Sequence, residues 1–351
     1  MKLRNRLLPV LLAAALCIPA AGCSVDKSWA VKDSSTTVPV GVYIYNLYSA
    51  YEQADTTKKT DASKSVLDQK IDNKDAKTWI REKALTSTKQ LLLLDKKMKD
   101  MSLTLTDAEK KSASDMNSQT WSQYSSTFEK YGVAQSSFEM AYGDAYEKEQ
   151  AVFNAVYGKN GAKAVSDAEL KSYYTKNYTA FSYMLCPLYK TDASGNYAAM
   201  TDAEKKQAKA VFDGYVSQIK AGTTTLAKAA DAYKLAQKSQ NDELYAESVN
   251  LATDTNYPDA MKTALKAMQA GEIKTLERTD AQAYVILQKE DVDKTADSKI
   301  ASADNRESLL LAYKSGDFMT ELGKEADAMT DVTVNDKAIN SYDPKMFVSA
   351  S

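Results

Sequence analysis

From Val42 to Glu52, apolar and aromatic side chains recur at Ile44, Leu47, Tyr48 and Tyr51, the i, i+3, i+4, i+7 stripe of an amphipathic helix. After a polar stretch from Thr56 to Asp75, the positions Ile80, Ala84, Ser87, Leu91, Leu94, Met98 and Met101 follow in steps of four and three. That spacing predicts a long helix with a seam for a partner. Thr106-Asp-Ala-Glu109 is a capping box, in which a Thr oxygen and a Glu carboxylate satisfy free backbone donors, and the helix it opens is predicted to reach about Tyr131. A fourth helix, Ser136 to Tyr157, carries Phe138, Tyr142, Ala145, Val152, Phe153 and Val156 on one side. These helices predict a helical domain over 41–160.

KNGAKAV (159–165) breaks the pattern. A second cap, Ser166-Asp-Ala-Glu169, opens a short helix through Tyr178, and AFSYMLCPLY (180–189) reads as a buried strand closed by Pro187. TDASGNYAAM (191–200) is a loop, and a third cap, Thr201-Asp-Ala-Glu204, starts a helix to about Lys220. A shorter helix runs from Thr225 to about Lys238, QNDELYAESVNL (240–251) is irregular, and Pro258 to Ala270 is helical up to Gly271. AYVILQKEDV (283–292) is a second apolar strand. This order predicts a small α+β domain over 166–293. The remaining segment, 297–351, is dominated by a helix from Ile300 to Met329 with Leu311, Ser315, Phe318, Leu322, Ala326 and Met329 along one face. Its nearest apolar partner is the seam of the first domain. The fold class is therefore α+β and mostly helical, with the α+β domain inserted between helices that pack together.

The first residues change the setting. Lys2, Arg4 and Arg6 precede an apolar run from Leu7 to Leu16, too short to span a bilayer, and Ala20, Ala21 and Gly22 follow before Cys23. This is the layout of a secretory signal peptide over 1–22. The small-small-Gly-Cys ending resembles the bacterial lipobox, which implies lipidation of Cys23 and attachment to the cell membrane. The alternative is a plain signal peptide with a coincidental cysteine. Residues 23–40 are Ser/Thr-rich, lack helical periodicity and are predicted to be a flexible tether.

Composition then removes whole classes of chemistry. Of 351 residues, 44% are hydrophobic and 26% charged, the balance of an ordinary globular protein. Without the basic leader, 42 basic residues face 47 acidic ones, and no basic run stands out, so nucleic acid is not an expected partner. There is no histidine, which excludes Ser-His-Asp and Cys-His nucleophile activation and HExxH metal sites. The three cysteines are far apart, so no metal site and no cofactor is expected. If Cys17 leaves with the leader, Cys186 is the one internal thiol and reads as a buried strand cysteine with no base to activate it. The 22 tyrosines against seven phenylalanines favour surfaces with an apolar body and a polar tip.

This order of elements resembles the PrsA/SurA-type extracytoplasmic foldases, in which a lipid anchor and helices flank a parvulin-like prolyl isomerase (rotamase) domain. The closing VTVNDKAINSYDP (332–344) is also similar to the end of such chains. The first parvulin strand reads like A-S-H-I-L and the last like G-Y-H-I-I-K. Here Phe181-Ser182-Tyr183-Met184-Leu185 matches the first, with Tyr183 at the histidine position, and Ala283-Tyr284-Val285-Ile286-Leu287-Gln288 matches the last, with Val285 at the other. Counting back from Gly271 puts Met261 at the family's pocket phenylalanine and Tyr257 at its pocket methionine. The family's glycine-rich segment falls on QNDELYAES, which has no glycine. The resemblance implies no catalytic residue in this chain. It implies a peptide-binding surface from Tyr183, Met184, Tyr257, Met261, Met268 and Ile286.

Three functions follow. The first is a membrane-tethered chaperone or foldase that binds unfolded secreted polypeptides in a crevice between the helical and α+β domains, with isomerase activity lost. The second is the same scaffold as an active peptidyl-prolyl isomerase, and the third is a solute- or surface-binding lipoprotein.

Overall fold

The computed structural model describes residues 28–191, 196–237 and 243–348, so the leader, Cys17 and Cys23 lie outside the described residues. The chain divides into two compact units, the first formed by residues up to Phe153 and from Phe318 onward, the second by Asn154–Asp317. The fold is α+β and mostly helical.

The first unit opens with a hairpin where a tether was expected. Strands β1 (Trp29–Lys32) and β2 (Thr37–Pro39) pair antiparallel, and Ala30, Val31 and Val38 are buried. The Ser/Thr-rich stretch between them is the turn. Asp33 Oδ1 accepts from the Ser35 and Thr36 backbone N–H groups at 2.7 Å each, the local bonding that makes Asp a turn residue. Pro39 then caps α1 (Val40–Gln53). A two-residue hairpin, β3 (Lys70–Ile71) and β4 (Lys74–Asp75), leads into α2 (Ala76–Asp100), where Asp75 accepts from the Lys77 and Thr78 N–H groups. The α2 seam buries Ile80, Ala84, Leu94 and Met98. Met101 falls past the helix end and is exposed.

Helix α3 (Asp107–Tyr131) starts at the Thr106–Glu109 capping box and stops at Gly132, φ 90°, the left-handed conformation that favours glycine at a helix end. The helix expected over 136–157 is two helices, α4 (Gln135–Ala141) and α5 (Gly143–Tyr157). Gly143 is the reason. Its N–H donates to Asn117 Oδ1 at 2.9 Å, and a Cβ there would lie 2.5 Å from that oxygen and 2.6 Å from the Ala113 carbonyl. Only glycine lets the chain approach α3 this closely, and the α4–α5 corner forms where it does. Beside it, Phe138, Phe128, Trp121, Tyr45 and Tyr142 make an aromatic hub in the core.

In the second unit, α6 (Asp167–Asn177) starts at the Ser166–Glu169 capping box. Strand β5 (Thr179–Pro187) follows, and a hairpin of β6 (Tyr189–Thr191) and β7 (Tyr197–Ala199) takes up part of the 191–200 segment expected as a loop. Helix α7 (Asp202–Lys220) uses the third capping box, and α8 (Leu226–Gln237) comes next. Two strands of the four-stranded sheet were not expected either. They are β8 (Tyr245–Val249), inside the stretch read as irregular, and β9 (Ile273–Arg278), which follows α9 (Asp259–Ala267). With β10 (Ala283–Lys289) they form an antiparallel sheet in the order β8-β5-β10-β9.

This sheet is covered on both sides. Phe181, Tyr183, Val285 and Leu287 face α9 through Met261, Ala264, Leu265 and Met268. Met184, Cys186 and Ile286 face α7 and α8 through Phe212, Leu226, Ala229 and Tyr233. Successive strand residues point to opposite faces, so the apolar run in β5 feeds two separate cores.

The long helix expected over 300–329 is broken at Ser302 into α10 (Val292–Ala301) and α11 (Ala303–Asp327). Within the first unit, Phe318 meets Phe153 edge to face at 5.4 Å, and Thr86 Oγ1 donates to Asp327 Oδ1 at 2.6 Å. Strand β11 (Thr333–Val334) pairs with β1, and α12 (Asp336–Ile339) is capped by Asn335.

Candidate functional site

Tyr183 sits in the middle strand pair of the second unit, paired with Leu287 of β10 on one side and Tyr245 of β8 on the other. Its ring stacks on Tyr245 at 5.0 Å, and Tyr257 stands edge-on to it at 6.2 Å and to Phe181 at 5.2 Å. Tyr257 lies just before α9, where its N–H is held by Asp254 Oδ2 at 3.0 Å. The far end of α9 is fixed by Lys289, whose Nζ donates to the Leu265 and Met268 carbonyls at 3.0 and 2.8 Å, a cation closing free carbonyls at a helix C-terminus.

Of the six residues expected to line a peptide site, four share this face: Tyr183, Tyr257, Met261 and Met268. Met261 and Met268 are its floor, fully buried under the sheet. Met184 and Ile286 do not belong. They pair with each other across β5 and β10 and are buried under α7 and α8, because each is one residue out of phase with Tyr183 and Val285. Val285 itself is buried between Leu185 and Leu276. A cleft of about 540 Å³ elsewhere in the unit, beside Ile219, Leu226 and Ile273, is lined by none of the six.

The sequence reading missed five residues that complete the face. Leu185 and Leu276 are half-buried against the same core, Tyr245 is 37% exposed, and Glu247 lies opposite Phe181 in the strand register. Arg278 closes one end, its Nε and Nη2 bonded to the Asp280 carboxylate at 3.3 and 2.6 Å. The available signal was alternation in LYAESV and in IKTLER, which lacks the continuous apolar character that marks β5 and β10.

The Tyr257 phenol and the strand thiol on the opposite face are both held protonated. Burial, followed by the neighbouring Tyr183 hydroxyl and the Glu247 charge, raises the Tyr257 phenol pKa, so it stays neutral at physiological pH. Cys186, on the opposite face, is 3% exposed, and burial pushes its thiol up, away from the thiolate a nucleophile requires. Among the described residues no group of three or more Cys, Asp or Glu is placed to hold a metal ion, and no helix is long and apolar enough to cross a membrane. The face thus offers an apolar floor, rigid aromatic walls and phenol tips, with Glu247 and Arg278 at its edges. Such a face can hold an apolar or aromatic side chain and accept or donate a hydrogen bond.

No family model and no curated protein matches this sequence. Among solved structures, the chain is similar to foldase protein PrsA from Streptococcus pneumoniae at 15% identity and a TM-score of 0.38, over 74% of this chain and 88% of that one. PrsA from Lactococcus lactis aligns at 16% identity and a TM-score of 0.35, over 90% of this chain and 97% of that one. PrsA from Bacillus subtilis aligns at 17% identity and a TM-score of 0.28, over 81% and 96%.

Proposed function

We propose that this protein is an extracytoplasmic chaperone, lipid-anchored to the bacterial cell membrane through Cys23, that holds unfolded secreted polypeptides on the tyrosine-walled face without isomerising their prolines. One observation carries the reading. Tyr183, Tyr257 and Met261, aligned with the parvulin pocket, share a face with Tyr245, while the two histidine positions hold a tyrosine and a buried valine. Holding an extended chain needs apolar contact and backbone pairing. Prolyl isomerisation must cross a barrier of roughly 18–20 kcal/mol, and a face that lacks both histidines of the parvulin pattern lowers it little.

The purified protein is expected to suppress aggregation of an unfolded client in light scattering while leaving the cis/trans exchange of a proline tetrapeptide near its spontaneous rate. Fast tetrapeptide turnover would establish an active isomerase instead. Tight binding of a small solute with no effect on any aggregating client would support the lipoprotein alternative. The anchor is tested separately: mass spectrometry of membrane-extracted protein is expected to find Cys23 first in the chain and bearing a diacylglyceryl group, and an unmodified Cys23 sinks that part.

A further inference from the structure

The first unit contains a second aromatic site, and the chain itself fills it. The Phe347 ring stands 4.8 Å from Tyr131, 5.4 Å from Tyr48 and 5.7 Å from Tyr51. Tyr48 and Tyr131 stack on each other at 5.9 Å. The walls therefore come from α1 and α3, and the ring between them is 5% exposed.

Phe347 is delivered by a single 3-10 turn, Pro344–Phe347, in which Pro344 and Phe347 face inward and Lys345 faces solvent. The bonding of this turn is almost wholly internal. Asp343 Oδ1 accepts from the Lys345 N–H at 2.9 Å, the Met346 N–H donates to the Asp343 carbonyl and the Val348 N–H to the Lys345 carbonyl. Among the described residues, the one polar tie from 343–348 to a helix is Arg81 to Asp343 at 3.6 Å, with the two side chains 28% and 51% exposed. An ion pair this exposed contributes little. The turn is thus a compact peptide docked by Pro344 and Phe347, with Met346 half-buried beside them, and no ladder joins it to its site. Segments held by few contacts open at a fraction of the global stability.

We propose that the Tyr48–Tyr51–Tyr131 slot is a binding site for aromatic side chains of unfolded polypeptides, of the form Pro-x-x-Phe, and that residues 343–348 are its resident occupant. Three tyrosine rings supply rigid apolar walls that accept an aromatic ring edge-on, and their hydroxyls keep an empty slot wettable. This site is independent of the sheet face in the second unit. Covalent attachment gives the resident segment an effective concentration in the millimolar range, so a segment offered in trans competes poorly until the resident one is removed.

The test uses a labelled hexapeptide, Asp-Pro-Lys-Met-Phe-Val, and fluorescence anisotropy. A chain stopped after Tyr342 is expected to bind it at least about tenfold more tightly than the full chain. The full-length variant Phe347→Ala should also gain binding, and the peptide with alanine in place of phenylalanine should show none. Adding Tyr131→Ala to the shortened chain should weaken binding again. Variants that keep their helical circular dichroism but gain no binding overturn the proposal. Unfolding of both variants overturns it equally, because a removable occupant leaves a folded site behind.

Discussion

Phe138→Ala should lower the stability of the first unit by about 4 kcal/mol, within the range for deleting a buried phenylalanine. Phe138 is completely buried and lies at the centre of the hub. Its ring is 5.1 Å from both Phe128 and Tyr142, 5.4 Å from Tyr45 and 5.5 Å from Trp121. Those neighbours come from α1, α3 and the α4–α5 corner, so the ring joins elements that no sheet connects. Alanine would leave a cavity walled by rigid aromatic rings, which relax little and lose their edge and stacking contacts as well. Tyr124→Ala is the control: Tyr124 is 45% exposed, and its ring sits 6.2 Å from Phe128 alone. It should cost less than about 1 kcal/mol. Urea unfolding followed by tryptophan fluorescence reads both, and a loss below about 1 kcal/mol for Phe138→Ala would show that the hub does not hold these helices together.

Where a local rule had one physical outcome, the sequence was readable. The three [ST]-Asp-Ala-Glu boxes each begin a helix at the expected residue, because the serine or threonine oxygen and the glutamate close the same two donors in every case. Strands β5 and β10 were visible because strands covered on both faces are apolar along their whole length. That property also hid which residues share a face. In AFSYMLCPLY no charged position marks the outside and the one serine, Ser182, is itself buried, so Met184 could be grouped with Tyr183 although their side chains point apart. Strands β8 and β9 were missed for the opposite reason: Glu247, Lys274, Glu277 and Arg278 interrupt them, as charges commonly do in edge strands. The β1–β2 hairpin was hidden by a turn whose Asp and Ser side chains read as linker composition until Asp33 is seen gathering the backbone N–H groups.

The phase of β5 leads to the sharpest functional expectation, a contrast between adjacent residues. Leu185 is half-buried on the tyrosine face, while Met184 is fully buried beneath α7 and α8. In Leu185→Asp the carboxylate can turn to solvent, so the unit should stay folded at a cost of about 1 kcal/mol. On the proposed function, the charge would nevertheless stand where an apolar client side chain is held. Affinity for a labelled unfolded client should fall at least tenfold, about 1.4 kcal/mol, with matching loss of aggregation suppression. Met184→Asp puts the same carboxylate against Phe212 and Ile286 with no cation in that core. An uncompensated buried charge costs roughly 3–5 kcal/mol, enough to unfold the unit, and near-ultraviolet circular dichroism should lose its tyrosine signal. A folded Leu185→Asp protein that protects clients as well as the parent chain would remove the sheet face from the mechanism. A folded, client-binding Met184→Asp protein would show instead that the strand sits in the other phase, with Met184 and Ile286 on the binding side.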